Sequence, residues 1–142
     1  MFAKQLTVFI ENRTGRLSEV LSVLAKNNVS IISMSLADTT EFGLLRLIVD
    51  NADLGREKLS ENGFSSLLSD VSIIQIPHKA GSLQSLLKAI DENGVNIEYM
   101  YGLSVEANDA SVVMKTNELD AACDVLRTEK IDTMSEAEIS AL

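Results

Sequence analysis

The chain has 142 residues, 46% of them hydrophobic and 23% charged, with a net charge of −9, no tryptophan and one cysteine. That length suits one ordinary domain or two very small ones. The excess of acid repels phosphate backbones, and four Phe and two Tyr supply few platforms for stacked bases, so nucleic acid is not an expected partner. The lone Cys123 leaves no intrachain disulfide and no multi-cysteine metal site, and a reducing cytoplasm is the expected compartment. No apolar run approaches the ~20 residues that span a bilayer, and "MFAKQLTVFIEN" lacks the core of a signal peptide, so no membrane contact is expected.

In chain order, residues 4–10, "KQLTVFI", read as a strand. Leu17, Val20, Leu21 and Leu24 recur at i, i+3, i+4 and i+7, one face of a helix that Asn27-Asn28 ends. Residues 29–37 predict a second strand, "TTEFG" (39–43) a turn, and "LLRLIV" (44–49) a third strand apolar on nearly both faces. A weaker helix over 52–62 ends at Gly63, and 64–69 make a short fourth strand. "VSIIQI" (71–76) then starts a second series. Leu83, Leu86, Leu87 and Ile90 repeat the helical face, Asn93-Gly94 ends it, and 95–103 and 110–115 read as strands. Leu119, Ala122, Cys123 and Leu126 mark a helix with Asn117 as its expected N-cap. "IDTM" (131–134) closes the series, and Ser135 to Glu138 resembles a capping box on a last short helix.

The two series are copies. Gly15 and Gly81 lie 66 positions apart, and at that offset Ile10/Ile76, Leu17/Leu83, Leu21/Leu87, Asn27/Asn93, Val29/Val95, Ile31/Ile97 and Met34/Met100 are identical. Register kept across strand, loop, helix and strand predicts one unit built twice, over 1–69 and 70–142. The order βαββαβ in each gives an α+β class: two ferredoxin-like sandwiches in tandem, with antiparallel sheets and helices on one face. A copy of about 70 residues is marginal alone, and "LLRLIV" needs cover on both faces, so pairing of copies and then of chains is expected.

The strand–glycine–helix junctions, "ENRTGRL" at 11–17 and "PHKAGSL" at 77–83, are the candidate sites. A helix start offers unpaired N–H groups and a partial positive charge, a natural seat for a carboxylate. Gly15 and Gly81 let a ligand approach the backbone. Asn12 and His78 can donate or accept, and Arg13, Arg16 and Lys79 raise the local potential. Ser33 and Ser35 leave room beside the second strand of copy one, and Asn96 and Glu98 stand near the start of its counterpart.

"ENRTGRLSEVLSVLAKNNVSI", and the latter part of "PHKAGSLQSLLKAIDENGVNIEYMYG", resemble the ACT domain, a ferredoxin-like regulatory module that binds amino acids. The resemblance covers essentially the whole chain as a tandem pair with no catalytic domain. Two positions depart from the family pattern: His78 stands where Asp or Asn is usual, and Thr14 and Ala80 where proline often precedes the glycine. The resemblance implies a free amino acid, or a similar zwitterion, bound by loops and by the second strand of a neighbouring ACT unit. It carries the binding role onto Asn12, Arg13, Thr14, Gly15, Arg16, Leu17 and Ser33, and onto His78, Lys79, Ala80, Gly81, Ser82, Leu83, Asn96 and Ile97. Either junction, or a composite of both, can hold the ligand; a regulated partner enzyme is not named by these residues.

Catalysis finds little support. His78 is the only histidine, Cys123 shares an apolar helix face with Leu119 and Leu126, and the carboxylates are scattered, so no catalytic residue, cofactor or metal site is expected. Arg46 reads as half of a structural ion pair or as a partner for a ligand carboxylate. Tyr99 and Tyr101, opposite in face to Met100, line a pocket or cover the sheet. The reading is a non-catalytic amino-acid sensor, homodimeric through sheet or helix pairing. The alternative is a scaffold in which the pair only mediates assembly.

Overall fold

The computed structural model of the protein describes residues 2–38, 41–105 and 108–142. Its elements are β1 (Ala3–Glu11), α1 (Arg16–Lys26), β2 (Ile31–Asp38), β3 (Phe42–Val49), α2 (Ala52–Glu61), β4 (Ser65–Pro77), α3 (Ser82–Glu92), β5 (Ile97–Val105), β6 (Asp109–Thr116), α4 (Leu119–Thr128), β7 (Asp132–Thr133) and α5 (Glu136–Ser140). The order is the expected βαββαβ repeated, with antiparallel pairing in every ladder described below. Of the turn expected at 39–43, Thr39 and Thr40 lie outside the described residues.

Two compact units result. One comprises Lys4–Ser69 with Ala137–Leu142; the other comprises Asp70–Glu136 with Phe2 and Ala3. Two features differ from the expectation. The fourth and fifth strands are one continuous β4, because no glycine, proline or turn pair interrupts Ser65–Ile76. The last helix, counted with the second copy in sequence, belongs by its contacts to the first unit. Sequence order cannot show that, since docking of a terminal helix depends on which apolar surface remains open.

In the first unit β3 lies between β1 and β2. Leu6 pairs with Leu47 and Val8 with Leu45, and strand alternation sends all four to one face. There they pack with Val20 and Leu24 of α1 and Ala52 and Leu59 of α2 in one buried cluster. The opposite face carries Gln5, Thr7 and Ile48, all buried, and Gln5 Nε2 donates to Thr7 Oγ1 at 3.0 Å. Arg46 is on that face too, in register with Thr7.

The second unit repeats the plan in the strand order β5–β6–β4–β7. Ile74, Ile76 and Met114 pack with Leu86, Ile90, Ala122 and Leu126. Val71, Ile73 and Val113 are buried on the other face. Ends are matched as well. Asp50 Oδ1 accepts from Ser30 N–H at 2.8 Å, and Asn117 Oδ1 from Asn96 N–H at 3.1 Å. Asn117 is therefore not the N-cap of α4. Its side chain ties down the entry to β5, and Glu118 holds the cap position without a side-chain bond. In the first unit Asn51 does cap α2, accepting from Leu54 N–H at 3.1 Å.

The copies differ at one core rung. Ser72 pairs with Met114 where Leu6 pairs with Leu47. Ser72 is fully buried, and its hydroxyl has no hydrogen-bond partner among the described residues. A buried hydroxyl left unpaired is destabilising. Ser72→Ala is expected to raise stability by about 1 kcal/mol, read as a higher urea midpoint at unchanged slope; an unchanged or lower midpoint would show that the hydroxyl is satisfied in solution.

Candidate functional site

The two junctions match bond for bond. After β1, Arg13 N–H donates to Glu11 C=O at 2.8 Å, Arg16 N–H to Arg13 C=O at 3.4 Å, and Glu19 N–H to Gly15 C=O at 3.0 Å. After β4, Lys79 N–H donates to Pro77 C=O at 3.0 Å, Ser82 N–H to Lys79 C=O at 3.2 Å, and Ser85 N–H to Gly81 C=O at 3.0 Å. Gly15 has φ 89°, ψ −14° and Gly81 has φ 89°, ψ −12°, a left-handed backbone that L residues rarely adopt. A Cβ on either would meet nothing within 4 Å, so conformation and not crowding requires glycine. No side chain caps either helix start. The first amide of each helix, on Arg16 and Ser82, is thus taken by a loop carbonyl, and no side-chain oxygen competes for the amides that follow.

Their charges differ. Arg13 Nε lies 2.8 Å from Glu11 Oε2. Arg16 Nη1 lies 2.6 Å from Glu19 Oε2, and its guanidinium stacks 4.3 Å above the buried Phe64 ring. Both cations of the first junction thus pair with their own neighbours, while Arg16 Nε is buried with no hydrogen-bond partner among the described residues. Lys79 is exposed and makes no ion pair among the described residues. Asn12 and His78 are exposed, held by backbone bonds from Asn12 N–H to Glu41 C=O at 3.3 Å and from His78 N–H to Asn108 C=O at 2.9 Å. Thr14 and Ala80 are exposed at the loop tips.

Three cavities adjoin these loops. One of about 150 Å³ brings Asn12, Arg13 and Leu17 together with Ile10, Leu36 and Gly43. A second, of about 380 Å³, gathers Lys79, Ala80, Gly81 and Ser82 with Ser85 and with Glu129 and Ile131. The Ser82 hydroxyl beside it is buried and has no hydrogen-bond partner among the described residues. A third, of about 490 Å³, runs from Leu83 to Met100, Gly102 and Ser104 of β5 and to Ala110 and Val112 of β6.

Ser33, Asn96 and Ile97 are not brought to the loops within their own units. Ser33 pairs with Ile48 on the sheet face opposite the helices. Ile97 packs into the helix-side core at the first residue of β5, and Asn96 immediately precedes it. The loop at 78–83 adjoins the other end of that strand, because Pro77 pairs with Asp109 and Ser104 with Ser111. That is roughly 20 Å along β5 at the usual rise per residue. An antiparallel ladder sets the end of the second strand beside the loop. Leu36, Gly43, Gly102 and Ser104 therefore line cavities there that residue type alone did not suggest. The period-two alternation from Met34 and Met100 was the available signal.

Tyr99 and Tyr101 lie in register with Lys115 and Val113, on the opposite face to Met100, as alternation predicts. Cys123 is half-buried on α4, less enclosed than a core thiol. Among the described residues no three of His, Cys, Asp and Glu cluster as metal ligands, and no helix is long and apolar enough to cross a membrane.

The ACT domain pair family matches residues 1–142. The chain is an ACT domain pair. A Bacteroides thetaiotaomicron protein of known crystal structure is 37% identical to this pair, with TM-score 0.94 over 100% of this chain and 98% of that one. The ligand-free regulatory subunit of aspartate kinase from Thermus thermophilus shares the fold at TM-score 0.62 and 19% identity, over 88% of this chain and 91% of that one. Escherichia coli aspartokinase III, crystallised with lysine and aspartate, shares it at TM-score 0.53 and 16% identity, over 91% of this chain and 31% of that one. No curated protein matches the sequence.

The junction geometry carries a stability consequence for the ACT pair. Gly81→Ala places a Cβ in the left-handed region and is expected to cost about 1 kcal/mol, lowering the urea midpoint. Gly81→Asn, whose side chain tolerates that region, is expected to lose less. Equal losses for the two would show that the loop changes conformation on substitution.

Proposed function

We propose that this ACT pair is a non-catalytic regulatory sensor that binds a free amino acid, or a similar small zwitterion, at its strand–glycine–helix junctions. The observation that carries the reading is the duplicated helix start, left-handed at Gly15 and Gly81 and uncapped by any side chain. A ligand carboxylate meets N–H donors there without competition from a capping oxygen. Asn12 and His78 lie within the loops to meet an ammonium or a second oxygen. The second junction adds Lys79 and the Ser82 hydroxyl, neither with an ion-pair or hydrogen-bond partner among the described residues, whereas Arg13 and Arg16 of the first pair with Glu11 and Glu19. The fold shared with regulatory parts of aspartate kinases is in keeping with a sensing role. The pair acts in the cytoplasm as a homodimer joined by sheet or helix pairing, and binding shifts assembly or partner affinity through different contacts in two states.

A scaffold role has one observation in its favour. Met34, Leu36 and Phe42 of the first unit are 42%, 51% and 50% exposed, apolar surface suited to assembly. A thermal-shift screen of the twenty amino acids separates the readings. Ligand at 100 times Kd adds about 2.7 kcal/mol, a clear rise in melting temperature. A flat panel, together with concentration-dependent oligomers by light scattering, would favour the scaffold.

A further inference from the structure

The groove between the start of α3 and strands β5 and β6 is the place where the copies diverge most. Leu36 pairs with Leu45, two residues beyond the Met34–Leu47 rung. Gly102 pairs with Val112, two residues beyond the Met100–Met114 rung. They are the same position of the fold. Gly43 and Ala110 are also equivalent, since they pair with Ile10 and Ile76. In the first copy Leu36 folds across its neighbouring strand, with Cδ1 3.4 Å from where a Cβ on Gly43 would stand. The glycine makes room for Ile10, whose Cγ1 would lie 3.0 Å from that Cβ, and for the leucine beside it. In the second copy the pair is inverted, with glycine on β5 and alanine on β6. A Cβ on Gly102 would meet nothing within 4 Å, and its φ is not in the left-handed range. Crowding does not ask for glycine there, and the one backbone irregularity beside it is the register shift between Gly102 and Ser104. The effect of the glycine is to leave empty the space that Leu36 takes in the first copy.

We infer that this groove receives the uncharged aliphatic or aromatic side group of the ligand, in the place where the first copy seats its own Leu36. The inference rests on the small-zwitterion reading above and narrows it to an apolar side group. The groove measures about 490 Å³, against about 150 Å³ beside Leu36, and is of ordinary size for a small-molecule pocket. Leu83, Met100 and Val112 line it together with Ser104 and Ser111, and no charged residue does. A charged side group would lose its water without gaining a partner. Leu83 sits in the first turn of α3, one residue beyond Ser82 and Gly81. A group held against it places its carboxylate near the uncapped amides of that turn.

The test titrates the full chain, by calorimetry and thermal shift, with leucine, isoleucine, phenylalanine, lysine, aspartate and 4-methylpentanoate. It is run on the wild type and on Gly102→Leu, Gly102→Ala and Leu36→Gly. The expected result is that one or more apolar compounds bind with one site per chain. Affinity then falls several-fold in Gly102→Ala and at least tenfold in Gly102→Leu, while the ligand-free melting temperature stays within 2 °C. Lysine and aspartate are expected not to compete. Should Gly102→Leu fail to fold, the graded loss in Gly102→Ala carries the same decision. Leu36→Gly is expected to leave affinity unchanged or to add a second, weaker site. Binding of lysine or aspartate equal to that of leucine, or an apolar ligand indifferent to both Gly102 variants, overturns the inference and leaves amino-acid sensing standing. Binding of 4-methylpentanoate alone, lost in Gly102→Leu, keeps the groove and removes the amino-acid reading. No binding by any compound removes both.

Discussion

A strand can hand its chain to a helix lying back across the same sheet only if the backbone reverses within a few residues. Here the reversal depends on one dihedral, the left-handed φ of 89° at Gly15 and again at Gly81. From that residue the helix axis is set. Val20 and Leu24 then fall over Leu6, Val8 and Leu47, and Leu86 and Ile90 over Ile74 and Met114. The same dihedral leaves the helix start without a side-chain cap, with space where any other residue would carry a Cβ. Packing and the open, uncapped helix start therefore have one origin.

Duplication preserved that origin and released the surroundings. The backbone bonds of the two junctions correspond one to one, including the loop tether from Asn12 to Glu41 and from His78 to Asn108. Side chains do not correspond. The first junction pairs its arginines with Glu11 and Glu19 and stacks one on Phe64; in the second, among the described residues, Lys79 makes no ion pair and the Ser82 hydroxyl is buried without a partner. Across the sheet, Leu36 over Gly43 becomes Gly102 beside Ala110. Each change closes the first copy and opens the second. The helix-facing ladder is kept in both units even with a buried serine at the Leu6 position.

Much of the fold was legible because burial imposes periods on the residues. The recurrence of Leu17, Val20, Leu21 and Leu24, matched by Leu83, Leu86, Leu87 and Ile90, located both helices, and the glycine-to-glycine offset located the repeat. The candidate junctions were legible because each is contiguous in sequence, at 12–17 and 78–83. Ser33, Asn96 and Ile97 came in through the resemblance, as second-strand residues facing a neighbouring unit, and within their own units the ladder sets them on the far face or at the far end from the loop. Asn117 had the chemistry of a cap and was claimed instead by the entry to β5.

By itself the sequence determined the α+β class, the duplication and the two glycine junctions, because these follow from local dihedral limits and from the spacing of apolar side chains along one chain. Only the tertiary structure decided which end of the second strand meets each loop, that β4 runs unbroken through both copies, and which unit claims the last helix. It alone decided that Leu36 fills a space which Gly102 leaves open. These depend on strand register and on atoms meeting across the sheet, and a residue carries no mark of the partner that the ladder will place opposite it.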